Sequence, residues 1–254
     1  VMSKEGKIVR KRADQLVAGD PTIIMIGRNV HGNKTDLPDV FVKAATSYKD
    51  IELPKKMTKE FARFLGYFVA EGRQEPNEGP NYKIQVGLGI ESVEMMKDFE
   101  MCLKFFVGDR FSKTYSPPTL KRNAAFYYAI NSKKVSAFLN LLGPGKTSGD
   151  KRIPRCIREA PWELKKEFLR AYFEGDGTNK KPSPKGDGSY TVSVTSKSET
   201  LIRQIHAEMA NLNILGFMHS EWRDTDKGQM EYWVWDIRRQ RDLLRFKEII
   251  GFIS

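Results

Sequence analysis

The feature that most constrains the fold of this chain is a tandem duplication that begins near residue 57. In each copy a helix with apolar residues on a helical period is followed by a polar loop, an alternating strand, a second helix, an aromatic strand and a closing helix. From Glu71 to Gly143 is 72 positions and from Asp176 to Gly251 is 75, so the copies stay in register over their length. This predicts two similar α+β halves about a pseudo-twofold axis.

The first helices of the two copies share a nine-residue pattern. Residues 64–72 (FLGYFVAEG) align with residues 169–177 (LRAYFEGDG), and each segment ends with a carboxylate followed by a glycine, the usual residue of a left-handed cap. Small residues recur four apart in each segment, which places them on one helix face and allows two backbones to approach closely. They are Gly66 and Ala70 in the first helix and Ala171 and Gly175 in the second.

The carboxylates that end these helices, Glu71 and Asp176, lie where a helix already carries partial negative charge. Two such ends packed together would repel each other, and divalent cations between them would relieve the repulsion. Mg²⁺ prefers oxygen ligands and keeps positions for water and phosphate, and two such ions can hold the attacking and leaving oxygens of a phosphodiester cleavage. The alternative is two surface acids that merely end helices, but repetition of the whole pattern favours the metal site.

The two segments resemble the paired motifs of the LAGLIDADG homing endonucleases, in the single-chain, two-motif form that is often embedded in inteins. The resemblance covers roughly residues 57–254. It implies an α+β fold of two pseudo-symmetric αββαββα halves packed through the motif helices, with saddle-shaped antiparallel sheets over the DNA. It also implies that Glu71 and Asp176 bind the catalytic metal together with Ala70 and Gly175. The implied cofactor is Mg²⁺, with Ca²⁺ or Mn²⁺ as substitutes.

A basic residue near each metal site is a further feature of that family, usually a lysine before an Ile-Pro pair. Lys151 fits this context and is the expected catalytic lysine, although a surface lysine at the start of a loop is the alternative. Lys151 lies eight residues after Gly143, so its counterpart in the second copy would fall beyond Ser254. Either the chain is trimmed or another lysine, such as Lys247, takes that place.

We divide the chain into an N-terminal extension (1–50), a first half (51–150) and a second half (151–254). Residues 13–20 (ADQLVAGD) resemble part of an intein splicing domain, and residues 22–26 read as a buried strand. Splicing is not expected from a chain that starts with Val1 and ends with Ser254. The extension is therefore either a remnant or an additional DNA-contacting arm.

Polar and basic residues follow each of the two acids and continue into the next strand. Arg, Lys, Gln and Asn can read purine edges in the major groove, and surplus Lys and Arg meet phosphates. A plain solvated position is the alternative for each of them. The expected DNA contacts are Arg73, Gln74, Lys83 and Gln85 in the first half and Thr178, Asn179, Lys180, Lys181, Lys185, Thr191 and Ser193 in the second. A further basic stretch comprises Lys113, Tyr115, Lys121 and Arg122.

Composition supports a polyanion partner and excludes several other classes. The formal net charge is +11 and the pI about 9.5. No apolar run is long enough to span a bilayer, and two cysteines outside any CxxC pair exclude a disulfide framework and make structural zinc implausible. We expect a soluble, intracellular monomer, in the cytoplasm or nucleoid of a prokaryote or in an organelle.

The resulting prediction is a site-specific endonuclease that makes a Mg²⁺-dependent double-strand break in a long, non-palindromic DNA target. One alternative is a non-cleaving nucleic-acid-binding protein of the same fold, either an RNA maturase or a DNA-binding regulator. A second alternative is a structural protein with incidental basic charge, which predicts no salt-sensitive DNA binding.

Overall fold

The computed structural model describes residues 12–17, 26–42, 51–75, 82–120, 123–181, 189–225 and 228–253. Within these ranges each half repeats the order helix, strand, strand, helix, strand, strand, helix, so the predicted α+β fold of two αββαββα halves is confirmed. The first half comprises α1 (Lys59–Glu71), β1 (Gly72–Gln74), β2 (Lys83–Gly89), α2 (Val93–Val107), β3 (Ser112–Ser116), β4 (Ala125–Asn131) and α3 (Lys133–Leu142). After a short helix α4 (Arg155–Arg158) follow α5 (Trp162–Asp176), β5 (Gly177–Lys180), β6 (Thr191–Ser196), α6 (Glu199–Asn211), β7 (Phe217–Thr225), β8 (Gly228–Ile237) and α7 (Gln240–Ile249).

Each half contains an antiparallel sheet of four strands, in the orders β1-β2-β4-β3 and β5-β6-β8-β7. The sequence indicated only the two central strands of each sheet. The residues directly after each acid, expected to be polar loops, instead form the edge strands β1 and β5. The edge strands β3 and β7 were not predicted, because most of their side chains are exposed and show no apolar alternation.

The helices cover one face of each sheet. Ile84, Val86 and Leu88 alternate toward the helices along β2, and Val192 and Val194 do so along β6. The residues between them lie on the opposite face, which we call the open face of each sheet.

Helices α1 and α5 pack against each other at the centre of the molecule, as the small-residue pattern predicts. A Cβ atom added to Gly66 would lie 2.8 Å from the Cβ of Ala171, and one added to Gly175 would lie 2.6 Å from the Cβ of Ala70. Each close approach therefore pairs a glycine of one helix with an alanine of the other. The helix bounds also agree with the sequence, since the Thr58 hydroxyl caps α1 by accepting a hydrogen bond from the Phe61 N–H (3.2 Å).

An extended segment of residues 26–42, which we call the strap, runs from the second half to the first. At one end the Gly27 N–H donates to Ala210 O (2.8 Å) and the ring of His31 stacks on Trp162 (5.1 Å between centroids). At the other end the Leu37 N–H donates to Lys55 O (2.9 Å). The strap thus joins the halves near the N-terminal ends of α1 and α5, away from the helix ends that carry the acids.

This placement favours a structural role for residues 26–42 over a DNA-contacting arm, which was one of the two alternatives for the extension. Most of the strand predicted over residues 22–26, and the end of the segment that resembles a splicing domain, lie outside the described residues. The division of the chain at residues 50 and 150 remains a prediction.

Candidate metal and nucleic-acid site

The ends of α1 and α5 bring the two predicted acids together. Gly175 directly precedes Asp176, and a Cβ atom added to Gly175 would lie 3.4 Å from Cγ of Glu71. Burial raises the pKa of Asp176 well above its ordinary value, and the negative charge of Glu71 raises it further. Partial desolvation at the helix end also raises the pKa of Glu71, although the residue is exposed, and the charge of Lys151 opposes this rise. The two carboxylates therefore form one electrostatically coupled pair.

The glycines that follow the acids are not left-handed caps, which corrects the sequence-based expectation. Gly72 (φ −89°, ψ 155°) and Gly177 (φ −77°, ψ 141°) are extended, because the chain passes directly from each helix into an edge strand. A side chain is excluded there for another reason. A Cβ atom would lie 2.5 Å from Phe68 O at Gly72 and 2.1 Å from Phe173 O at Gly177.

Lys151 lies beside this pair with its side chain almost fully buried (3% exposed). Its Nζ donates a hydrogen bond to Phe68 O (2.7 Å) and lies 4.0 Å from the centroid of the Phe68 ring. Burial lowers the pKa of Lys151 to about 7, although the charges of Asp150, Asp176 and Glu71 act to raise it. The three residues predicted as catalytic are thus in one place.

The position of Lys151 is fixed by a residue that sequence reasoning missed. The carboxylate of Asp150 accepts hydrogen bonds from the N–H groups of Lys146 (3.1 Å) and Thr147 (2.7 Å) and from the Thr147 hydroxyl (3.0 Å). The backbone on the other side is held because the Ser198 hydroxyl donates to Lys151 O (2.6 Å). Adjacency to Lys151 was the only sequence signal for the role of Asp150.

The two carboxylates suit a hard divalent cation as metal ligands and do not suit zinc. Among the described residues no group of three or more His, Cys, Asp and Glu side chains converges on one point. Two carboxylates, completed by waters and substrate phosphates, are a common set for Mg²⁺. Ala70 and Gly175 precede the acids at the helix crossing, where last-turn carbonyls have no partner within the helix.

Most of the predicted DNA contacts lie on the open faces. Strand register places these side chains there: Arg73, Lys83 and Gln85 in the first sheet, and Thr178, Lys180, Thr191 and Ser193 in the second. Lys181 follows β5 and is exposed. Asn179 is also exposed but lies opposite the buried Val192, on the helix side. Lys185, Lys121 and Arg122 lie outside the described residues.

Gln74 was expected to be accessible to DNA, and the structure buries it instead (3% exposed). Register places it opposite Ile84 on the helix side of β1. Its Nε2 donates hydrogen bonds to Ser136 Oγ (2.7 Å) and Asn140 Oδ1 (3.1 Å). Gln74 is therefore a buried polar link between the sheet and α3, and it leaves the set of DNA contacts.

Two residues of the predicted basic stretch, Lys113 and Tyr115, lie on the helix side of β3 and not on the open face. Lys113 lies opposite Tyr128, its Nζ donates to Glu100 of α2 (2.6 Å), and it lies 4.3 Å from the centroid of the Phe126 ring. Tyr115 is on the same side, opposite Phe126.

Several open-face residues escaped the sequence analysis. Tyr127 lies opposite Gly87, and Tyr232 carries the guanidinium of Arg223 over its ring at 4.9 Å. The aromatic strands gave no polar–apolar alternation from which to choose a face, so only the strand register identifies these side chains.

The second half of the chain matches a known domain family. Residues 163–251, from the start of α5 to just beyond α7, match the LAGLIDADG-like domain. None of the helices in the described ranges has the length and hydropathy to cross a bilayer.

Curated relatives match only parts of their own length. The chain is 28% identical over 127 residues to the DNA polymerase II large subunit of Thermococcus kodakarensis, covering 50% of this chain and 6% of that protein. It is 26% identical over 215 residues to the replication factor C small subunit of Methanocaldococcus jannaschii, covering 80% of this chain and 11% of that protein. The chain thus spans a small fraction of the relatives it matches.

Solved structures with the same fold include the homing endonuclease I-DmoI. Its complex with DNA and Ca aligns with a TM-score of 0.52 at 15% identity, covering 76% of this chain and 88% of that one. Its complex with DNA and Mn gives 0.52 at 14% identity, covering 76% and 96%. At this identity the likeness shows the fold alone. Together with the family domain of the second half, it confirms the resemblance to the LAGLIDADG family.

Proposed function

We propose that this LAGLIDADG-fold chain is a site-specific DNA endonuclease that makes a double-strand break with the help of Mg²⁺. The observation that carries the proposal is the coupled pair of acids at the ends of α1 and α5, with a buried lysine beside it. A structural protein has no need of such a cluster, because neighbouring carboxylates and a desolvated lysine each destabilise the fold.

In this proposal Glu71 and Asp176 are the metal-binding carboxylates, assisted by the carbonyls of Ala70 and Gly175. A bound Mg²⁺ would polarise the scissile phosphate and lower the pKa of a bound water. Lys151 Nζ is held by Phe68 O and lies within the electrostatic influence of both acids, and it offsets charge on the phosphate or helps to activate that water. Because the strand that follows each acid is an edge of a sheet, DNA on the open faces lies beside the acids.

The target is a long, asymmetric double-stranded DNA. The two open faces carry different side chains, with Lys83 and Gln85 on β2 where β6 has Thr191 and Ser193. Two different faces read two different half-sites, so the site is non-palindromic. A monomer suffices, because one chain supplies both acids.

The similarity to small parts of other proteins supports an origin of this chain as a mobile element inserted in other genes. The chain is similar to a small part of a DNA polymerase subunit and to a small part of a replication factor. A module found inside proteins of different description is what insertion as an intein or an intron product produces, and we propose that origin for this chain in a prokaryote or an organelle.

A non-cleaving binder of the same fold, an RNA maturase or a DNA-binding regulator, is the second candidate. One observation favours it: among the described residues Lys151 is the only cation whose charge acts to lower the pKa of Asp176. A single lysine therefore serves both acids. Two independent cleavages would require a basic residue beside each acid.

The test is selection of binding sites from a random duplex library in Ca²⁺, followed by Mg²⁺-dependent cleavage of a supercoiled plasmid that carries the selected site. We expect linear plasmid with the unaltered chain, intact plasmid with Glu71→Gln and Asp176→Asn, and linear plasmid with the exposed control Glu248→Gln. Binding without any cut by the unaltered chain supports the second candidate. Absence of salt-sensitive DNA binding contradicts both the endonuclease and the DNA-binding regulator.

A further inference from the structure

Two open-face side chains next to Glu71 are joined into one unit. Register places Arg73 of β1 directly opposite Gln85 of β2. The Nε and Nη2 atoms of Arg73 both donate to the same oxygen of Gln85, Oε1, at 2.9 and 2.6 Å. We call these two side chains the donor pair.

This pairing decides what Gln85 offers to a ligand. A guanidinium has only donors, so the Gln85 amide must turn its oxygen toward Arg73. The amide NH₂ group is then the only polar group of Gln85 left for other partners, and the remaining N–H groups of Arg73 are donors as well. A free glutamine presents one donor and one acceptor, the set that matches adenine in the major groove. The donor pair presents donors alone.

The surroundings leave room for a base edge at this point. A cavity of about 250 Å³ lies at this point, lined by Glu71, Arg73, Gln85, Gly87, Ala125 and Tyr127. A Cβ atom at Gly87 would lie 2.7 Å from the ring of Tyr127. The ring of Tyr127 therefore lies over Gly87 and forms a wall of the cavity, while Ala125 carries only a methyl group.

We propose that the donor pair specifies guanine at the base pair nearest the Glu71 side of the cleavage site. Guanine is the base whose major-groove edge offers two adjacent acceptors, N7 and O6, and adenine would bring its N6 amino donor against the Gln85 NH₂ group. This assignment rests on the proposed function, since it takes DNA as the ligand of the open face.

The experiment is library selection in Ca²⁺ with the unaltered chain and with Arg73→Ala, Gln85→Ala and Lys180→Ala, the last as a control on the other sheet. We expect one guanine of the selected site to become degenerate in both Arg73→Ala and Gln85→Ala and to persist in Lys180→Ala. Replacing that guanine by adenine or by 7-deazaguanine should weaken binding by the unaltered chain on the order of 10- to 100-fold and binding by Gln85→Ala far less.

A conservative substitution sharpens the test. Gln85→Glu keeps the contact with Arg73 but replaces the NH₂ donor by a carboxylate oxygen, so the guanine preference should be lost or move to cytosine, whose N4 amino group donates. The proposal is overturned if the two alanine variants relax different positions, or if the relaxed base is adenine, while DNA binding persists. Loss of all DNA binding by the unaltered chain would instead overturn the proposed function and this assignment with it.

Discussion

Lys151 has a charge that burial disfavours, and the neighbouring carboxylates only partly compensate. Burial lowers its pKa to about 7 from an ordinary value of 10.5. Between these two values the unfolded chain binds more protons than the folded chain, so this residue makes the free energy of unfolding rise with increasing pH. Its retention in the core is therefore consistent with a functional role.

Lys151→Met should stabilise the metal-free protein at pH 7, by about 1–3 kcal/mol in the free energy of unfolding, because burial disfavours the charged lysine by more than the neighbouring carboxylates favour it. Phe68 O loses the ammonium donor but keeps the N–H of Gly72 as a partner. Urea titration in EDTA measures the effect, with Lys97→Met on the exposed side of α2 as control. The gain should shrink as pH is raised to 10, and a variant less stable than the unaltered chain at pH 7 contradicts the argument. Plasmid cleavage should be lost at the same time.

The charged form of Asp150 stabilises the fold, whereas the charged form of Lys151 destabilises it. Burial acts to raise its pKa, but the hydrogen bonds from Thr147 and Lys146 outweigh it, and the pKa falls below its ordinary value of 3.8. The stabilisation is present above that value and is lost as pH falls through the lower pKa of the folded state.

Asp150→Ala should lower the free energy of unfolding at pH 7 by about 1–3 kcal/mol, because it leaves N–H groups of the loop without their acceptor. Cleavage should fall too, since Lys151 follows directly. Denaturation curves at pH 7 and below pH 4 measure the difference in free energy of unfolding between the variant and the unaltered chain. This difference should disappear in acid. An equal loss from Asp109→Ala, at an exposed position after α2, would show that the effect is not specific to this loop.

At this scale the sequence identified three residues that the structure brings together, but it did not identify the residues that hold them in place. Glu71, Asp176 and Lys151 were found because their motifs combine a residue type with a fixed neighbourhood. Gln74 was misassigned because a polar residue directly after an exposed arginine reads as exposed until its strand register is known. Asp150 escaped because its partners are backbone groups, which leave no mark in the sequence.

At the scale of elements, the crossing of α1 and α5 sets the separation of the two acids. At the acid end Gly175 of α5 faces Ala70 of α1, and at the other contact Gly66 of α1 faces Ala171 and the backbone of Phe168. A methyl group fits on one side of each contact only. The spacing of Glu71 and Asp176 should therefore respond to a single added methyl.

Gly175→Ala should destabilise the protein by about 1–3 kcal/mol through overpacking and should reduce cleavage more than DNA binding. The double change Ala70→Gly with Gly175→Ala moves the methyl to the other helix and should recover most of both losses. Thermal unfolding and Mg²⁺-dependent cleavage are the measurements. Gly89→Ala is the control, because a Cβ atom there meets nothing within 4 Å. No recovery in the double variant would mean that the contact does not set the geometry.

The long elements were predictable and the edge strands were not, for a physical reason. Helices such as α1 and α5 bury a continuous stripe, so their period is visible in the sequence. The strands β1 and β5 have three and four residues, too few for a period, and form because each helix delivers the chain to the edge of a sheet. Tertiary position thus creates these strands more than local preference does.

At the scale of the whole molecule, the halves are joined by the helix crossing and by the strap. In the second half Asn211 binds the strap through both ends of its side-chain amide: Oδ1 accepts from the Val30 N–H (3.1 Å), and Nδ2 donates to Val30 O (2.9 Å). In the first half the Met57 N–H donates to Thr35 O (2.7 Å). A segment held at both ends makes the unfolding of one half depend on the other.

Asn211→Ala should release the strap from the second half while its contacts with the first half persist. We expect amide hydrogen exchange to accelerate at Gly27 and Asn29, which donate to Ala210 O and Asn211 O, and to stay slow at Leu37, which donates to Lys55 O. The free energy of unfolding should fall by about 1–2 kcal/mol for the lost hydrogen bonds. Asn123→Ala, at an exposed position outside the strap, is the matched control. DNA cleavage should change little, because the strap lies at the opposite ends of α1 and α5 from the acids. A large loss of cleavage with an intact fold would place the extension in the reaction instead.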